Sequence, residues 1–169
     1  MKNIVLIGMP GSGKSSVGRR LAKKLRMPLV DTDDMVVERE HRPISEIFAT
    51  EGEAYFRKVE TACVKEAAAQ MGIIIATGGG VVLRKENVEA LRKSGVVFFL
   101  DRSPRKIMAR SALSDRPLVQ QDKSRLLALY NERFSFYQAA AHVRIPNQGH
   151  SKQAVLKIAQ EMKKWERSQ

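Results

Sequence analysis

Short apolar runs alternate with stretches of helical periodicity along the whole chain. Residues 4–7 (Ile4-Val5-Leu6-Ile7) form the first run, and Val17, Leu21 and Leu25 then fall on one face of a helix. Residues 29–30 make a short second strand that ends in Asp31-Thr32-Asp33-Asp34. Helical stretches follow, broken near His41-Arg42-Pro43 and again near Thr50-Glu51-Gly52. A third strand over residues 73–76 stops at Gly78-Gly79-Gly80, a fourth covers residues 96–100 and a short fifth covers residues 142–145. The chain ends in a helix from about residue 151 to residue 165.

Strands separated by helices pair in parallel through right-handed crossovers. The pattern therefore predicts an α/β fold: a three-layer α/β/α sandwich on a five-stranded parallel sheet, as a single domain over residues 1–169. Ligands of such sheets bind beyond the carboxyl ends of the strands. The loops after the first three strands should then share one crevice. Residues 111–123 hold Ser114-Asp115-Arg116-Pro117 and few core candidates, and read as a mobile lid.

Composition narrows the picture. The chain has 169 residues, enough for one well-buried core. The first apolar run is too short, and too soon interrupted by glycine, to be a signal peptide or a membrane span, so a cytoplasmic protein is expected. A single cysteine, Cys63, excludes an intramolecular disulfide and reads as a buried thiol among helix formers. His41, His142 and His150 are scattered and form no metal-ligand cluster. The formal net charge of +12 raises the question of nucleic acid, but the 30 basic residues are spread along the chain with no basic block interleaved with aromatics. A solvated basic surface that attracts anionic substrates is the expectation, with no nucleic-acid partner and a monomer.

The densest chemistry follows the first strand. Gly8-Met9-Pro10-Gly11-Ser12-Gly13-Lys14-Ser15 fits the phosphate-binding pattern G-x-x-x-x-G-K-[ST], with a strand before it and a helix after it. Its glycines let backbone N–H groups converge on phosphate oxygens at a helix N-terminus. Lys14 can reach the outer phosphates, and the Ser15 hydroxyl is placed for Mg²⁺, the one metal expected. Asp31 and Asp33 alternate across an extended strand end, so their carboxylates should face different ways, one to the metal and one to an acceptor. The competing reading makes Asp33 or Asp34 a helix cap. Asp101, ending an apolar run, also resembles a metal-holding aspartate, although Arg102-Ser103-Pro104 suits Asp101 or Ser103 as a cap for the next helix.

Four arginine and glycine features complete the set. Arg57 in Phe56-Arg57-Lys58-Val59-Glu60 is either paired within its helix to Glu53 or aimed at a planar anion such as a carboxylate. Three consecutive glycines, Gly78 to Gly80, suggest close backbone approach to a ligand. Arg116 could close over the phosphates from the lid. Arg133 is either surface charge or a second anion clamp.

In order, these pieces resemble the shikimate kinase family, a group of P-loop kinases. The resemblance rests on Gly8 to Ser15, Asp31-Thr32-Asp33, Phe56-Arg57-Lys58-Val59-Glu60, Gly78-Gly79-Gly80, Arg116-Pro117-Leu118, and Glu132-Arg133 followed by Tyr137. It covers nearly the whole chain. It implies an ATP-dependent transfer to the 3-hydroxyl of shikimate, within aromatic amino-acid biosynthesis. Gly11, Ser12, Gly13, Lys14, Ser15 and Ser16 would hold the ATP phosphates, and Ser15 with Asp31 would hold Mg²⁺, Asp31 through water. Asp33 would meet the shikimate hydroxyls as the base. Arg57 and Arg133 would bind the carboxylate over a floor of Gly78, Gly79 and Gly80, and an acceptor-binding helical region would span residues 33–60. Arg116 would close onto the transferring phosphate. Two departures stand out. Phe134-Ser135-Phe136 replaces the Asn-Pro-Leu that often follows the later arginine. The loop over residues 146–152 lacks an arginine that contacts adenine in some members, leaving Gln148 or His150 to substitute. A kinase for another small polyol acid, quinate or gluconate, and a P-loop nucleotide-binding regulatory module are the alternatives.

Overall fold

In the computed structural model of the protein, residues 1–111 and 120–169 are described. Arg116 and most of the expected lid lie outside the described residues. Five strands, β1 (Asn3–Ile7), β2 (Leu29–Asp31), β3 (Ile74–Ala76), β4 (Gly95–Asp101) and β5 (Val143–Pro146), form one sheet in the order β2-β3-β1-β4-β5. Every neighbouring pair is parallel. The helices are α1 (Lys14–Leu25), α2 (Thr32–Glu40), α3 (Ile44–Glu51), α4 (Glu53–Ala68), α5 (Lys85–Ser94), α6 (Pro104–Ser111), α7 (Gln120–Ala140) and α8 (Ser151–Arg167). The α/β sandwich expected from the strand–helix alternation is what forms.

Strand periodicity explains the layering. Along β1 the buried Val5 and Ile7 face one cluster with Val64 of α4, Leu91 of α5 and Tyr137 of α7. The alternate residues Ile4 and Leu6 face a second cluster with Val17 and Leu21 of α1 and Ile158 and Met162 of α8. Both faces are covered, so β1 reads as an uninterrupted apolar run instead of an alternating one. Each fully buried Ile, Leu or Val here contributes about 1.5–3 kcal/mol by leaving water. A third, smaller cluster joins Val36 of α2, Ile47 of α3, and Phe56 and Cys63 of α4. Cys63 is buried there, and burial pushes its thiol pKa up, which keeps it unreactive. Among the described residues, no helix is long and apolar enough to cross a membrane.

The strand ends correct two sequence expectations. Asp31, and not Asp33 or Asp34, caps α2: its Oδ1 accepts the amides of Asp33 at 2.9 Å and Asp34 at 3.3 Å. Asp33 and Asp34 therefore occupy the first helical turn. Asp101 is neither a cap nor a metal ligand. Its Oδ2 accepts Arg144 Nε at 2.8 Å and Nη2 at 2.5 Å, and its Oδ1 accepts the Tyr130 hydroxyl at 3.0 Å. Ser103 serves α6 instead, its Oγ accepting the Lys106 amide at 3.3 Å. Both Asp101 oxygens are thus committed to tying the β4 end to β5 and α7. Replacing Asp101 by Asn should lower unfolding free energy by about 1–2 kcal/mol, measured by urea denaturation at pH 7; an unchanged midpoint would show that the Arg144 pair adds nothing.

Candidate active site

The loop between β1 and α1 wraps the N-terminus of α1. Gly11 (φ 79°) and Gly13 (φ 98°) take left-handed conformations that other residues enter only with strain. They let the loop turn its amides toward the first turn of α1, where the helix dipole also favours an anion. Lys14 is almost fully buried beneath this loop, its Nζ donating to the carbonyls of Gly8 at 2.6 Å and Met9 at 2.8 Å. Burial pushes its pKa down to about 8, against the pull of Asp33 and Asp31. A cavity of about 590 Å³ opens here, lined by Gly11, Gly13, Lys14, Ser15 and Ser16 on the loop side. Ser12 is buried beside Lys14 and does not line it.

The acidic pair reaches the same cavity. Asp31 and Asp33 both line it, which brings them together in the one crevice expected. A helical first turn, not a continued strand, sets the direction of Asp33. Burial raises the Asp33 pKa to about 6, helped by the charges of Asp31 and Glu60 and opposed by Lys14. Burial likewise raises that of Asp31. The Ser15 hydroxyl and the Asp31 carboxylate are hard oxygen donors of the kind Mg²⁺ takes. Asp31 Oδ1 is occupied by two amides, and its Oδ2 carries no hydrogen bond among the described residues. The pair fits a Mg²⁺ shared with phosphates and water.

The three glycines have a steric role. A Cβ on Gly78 would lie 2.6 Å from Asp33 Oδ1, and one on Gly79 would lie 2.8 Å from Pro10 Cδ and 3.4 Å from Arg133 Nη1. On Gly80 it would run into the guanidinium of Arg57, only 2.6 Å from Cζ. Gly78 and Gly80 thus make room for the side chains of Asp33 and Arg57, and Gly79 makes room for the Pro10 ring, with Arg133 in contact beside it. The turn itself is pinned from both sides: Thr77 Oγ1 donates to Leu6 O at 2.8 Å and the Tyr137 hydroxyl donates to Gly79 O at 2.6 Å.

Of the two readings of Arg57, the pairing within its own helix is present, and the residue is not among those that line the cavity. Its Nη1 meets Glu60 Oε1 at 2.9 Å, and its Nε lies 3.5 Å from Glu53 Oε1. Glu60 is buried, which raises its pKa against the opposing bond from Arg57. Arg133 is not surface charge: its Nε is buried without a hydrogen-bond partner among the described residues, as is Glu60 Oε2. His150 is not brought to the cavity. Its Nδ1 accepts the Lys152 amide at 3.2 Å as the cap of α8, and Gln148 is held by the Ser103 amide at 3.0 Å. Arg102 and Arg110, which belong to none of the sequence motifs, both line the cavity. Arg102 directly follows a strand, which was the available signal.

A parallel sheet with this order, a glycine loop cradling a helix N-terminus, and a buried lysine beneath it define a P-loop kinase fold. The shikimate kinase family model matches residues 10–163. A shikimate kinase of Symbiobacterium thermophilum (strain DSM 24528 / JCM 14929 / IAM 14863 / T) is 48% identical over 159 residues, covering 91% of each chain. One of Clostridium botulinum (strain Alaska E43 / Type E3) is 41% identical over 165 residues, covering 97% of each. Among solved structures, shikimate kinase from Acinetobacter baumannii in complex with shikimate gives a TM-score of 0.86 at 34% identity, covering 96% of this chain and 93% of that one. Shikimate kinase from Aquifex aeolicus gives 0.84 at 31%, covering 95% and 96%. The chain belongs to the shikimate kinase family.

The raised Asp33 pKa has a stability consequence. The native state holds this proton up to about pH 6, whereas an unfolded aspartate releases it near ~3.9. The stability that the protonated group contributes is therefore present below about pH 4 and is lost as pH rises through about 6. Asp33→Asn should raise the melting temperature at pH 7, with the gain shrinking to nothing by about pH 4. A gain that grows on acidification would contradict the direction of the shift.

Proposed function

We propose that the protein transfers the terminal phosphoryl group of ATP to the 3-hydroxyl of shikimate, giving shikimate 3-phosphate for aromatic amino-acid biosynthesis. One observation carries the reading: Asp33, Arg133 and Arg57 are seated against three consecutive glycines beside the phosphate loop. An acceptor on that floor meets a carboxylate for its hydroxyls and two guanidinium groups for its own carboxylate. That combination suits a hydroxylated acid and not a neutral sugar.

Asp33, with its pKa near 6, is ionised at neutral pH yet more basic than an ordinary aspartate. It suits accepting the proton of an attacking hydroxyl. Lys14 and the loop amides orient and neutralise the donor phosphates. Ser15 and Asp31 would hold Mg²⁺, Asp31 through water; when bound, the ion offsets charge on the phosphates. Glu60 and Glu53 hold Arg57 in place before the acceptor arrives. Arg116 retains the role of closing onto the transferring phosphate.

A coupled assay of ADP release over shikimate, quinate, gluconate and nucleoside monophosphates tests the reading. Turnover is expected with shikimate; turnover on gluconate without shikimate would refute it. Arg57→Ala and Arg133→Ala should each raise the acceptor KM roughly ten- to a hundredfold, the worth of a charge-assisted hydrogen bond, while leaving the KM for ATP near its wild-type value. Falling ATP affinity instead would place these arginines on the donor side.

The pH dependence supplies a separate check. The kcat/KM for the acceptor should fall below about pH 6 as Asp33 protonates, and Asp33→Asn should lose turnover while still binding ATP. A flat profile between pH 5 and pH 7, both about these values, would remove Asp33 as the base.

A further inference from the structure

Arg102, the first residue after β4, is a buried cation without a counter-anion among the described residues. It is only 4% exposed. Its Nε donates to Asn147 O at 2.9 Å and its Nη1 to Gly11 O at 3.0 Å, while Nη2 carries no hydrogen bond among the described residues. The adjoining Asp101 is of no help, since Arg144 and Tyr130 occupy both of its oxygens. No carboxylate pairs with Arg102 among the described residues. Among the described residues, the charge that bears on it is Arg110, also a cation, on the same cavity wall. Burial and that repulsion both push the guanidinium pKa down from its ordinary value. Two carbonyl dipoles compensate a buried charge only in part.

A second observation points the same way. A Cβ on Gly13 would lie 3.3 Å from Arg102 Nη2 and 2.6 Å from Asn147 Nδ2. The guanidinium therefore abuts the N-terminus of α1, itself the positive end of a helix dipole. Two positive sources converge on one cavity, an arrangement that an anion would relieve.

Sheet order says which part of the ligand this is. Asp33 follows β2 and Arg102 follows β4, on opposite sides of the loop after β1. The transferring phosphate lies toward Asp33, so the opposite side receives the remainder of the donor. Resting on the nucleotide-donor reading above, we propose that Arg102 is a donor-binding residue whose Nη2 contacts the non-transferred phosphates of the nucleotide. The same side chain ties the phosphate loop, through Gly11, to the loop between β5 and α8, through Asn147. Asn147 completes the tie by donating from Nδ2 to Ser12 O at 2.8 Å.

Titration calorimetry of the full-length protein with ADP and with inorganic tripolyphosphate separates a phosphate contact from a structural tie. In Arg102→Met, which keeps the aliphatic stem, affinity for both probes should fall roughly tenfold or more. Arg102→Lys should recover part of the loss, and the acceptor KM should stay near its wild-type value. Unchanged tripolyphosphate affinity in a folded Arg102→Met protein would overturn the proposal, whether or not ADP binding falls. Arg102→Gln, neutral but still a hydrogen-bond donor, carries the same test should the methionine variant not fold. Wild-type protein that binds neither probe would instead overturn the nucleotide reading itself.

Discussion

Three consecutive positions without a Cβ allow the backbone after β3 to lie directly against Asp33, Arg133 and Arg57, and the proposed acceptor site depends on that closeness. The turn is held in place by neighbours on both sides. Thr77 hydrogen-bonds back to β1, and Tyr137 reaches from α7 to the carbonyl of Gly79. A methyl group at any of the three positions would force a side chain, or the Pro10 ring, out of place. None of these glycines takes a positive φ, so they are there for space and not for backbone freedom.

Burial then gives each side of the cavity its electrical character. Around Asp33 it works on carboxylates: Asp33, Asp31 and Glu60 are all pushed toward holding their protons. Around the phosphate loop it works on cations, lowering Lys14 and Arg102. Both groups are less stable in the free protein than they would be in water. A site that binds anions and moves a proton is expected to hold such unfavourable charges. The arginine–glutamate contacts around Arg57 moderate the effect at one point, and the lysine–carbonyl contacts around Lys14 at another.

Local pattern carried much of the fold. The five runs became the five strands, with ends displaced by a residue or two; the central three, β1, β3 and β4, are buried throughout, whereas the edge strands β2 and β5 are only partly buried. The phosphate loop was legible because its glycines, lysine and serine are contiguous. Partnerships across long sequence separations were not. Asp101 gave a choice of metal ligand or cap, whereas the structure pairs it with Arg144, 43 residues on. The buried position of Arg102 depends on Asn147, 45 residues away, and a single sequence has no signal for that. The glycines point to close approach, and Gly78 and Gly79 do line the cavity, with the protein's own side chains lying against all three. His150 was offered to the nucleotide because the late loop lacked an arginine; capping α8 takes its ring instead.

The helices between β2 and β3 share a small core of their own, built on Val36, Ile47, Phe56 and Cys63 and separate from the two clusters that clasp the sheet. Asp33 and Arg57 both sit in this one crossover. On the proposed assignment, much of the choice of acceptor is written in one contiguous stretch of chain that has a small core of its own and is anchored to the sheet through Val64 and Ala67 of α4. On the same assignment the donor contacts are gathered from the ends of β1 and β4. Such an arrangement lets acceptor preference diverge by changes within a single segment, while the phosphate-handling machinery stays fixed by the sheet.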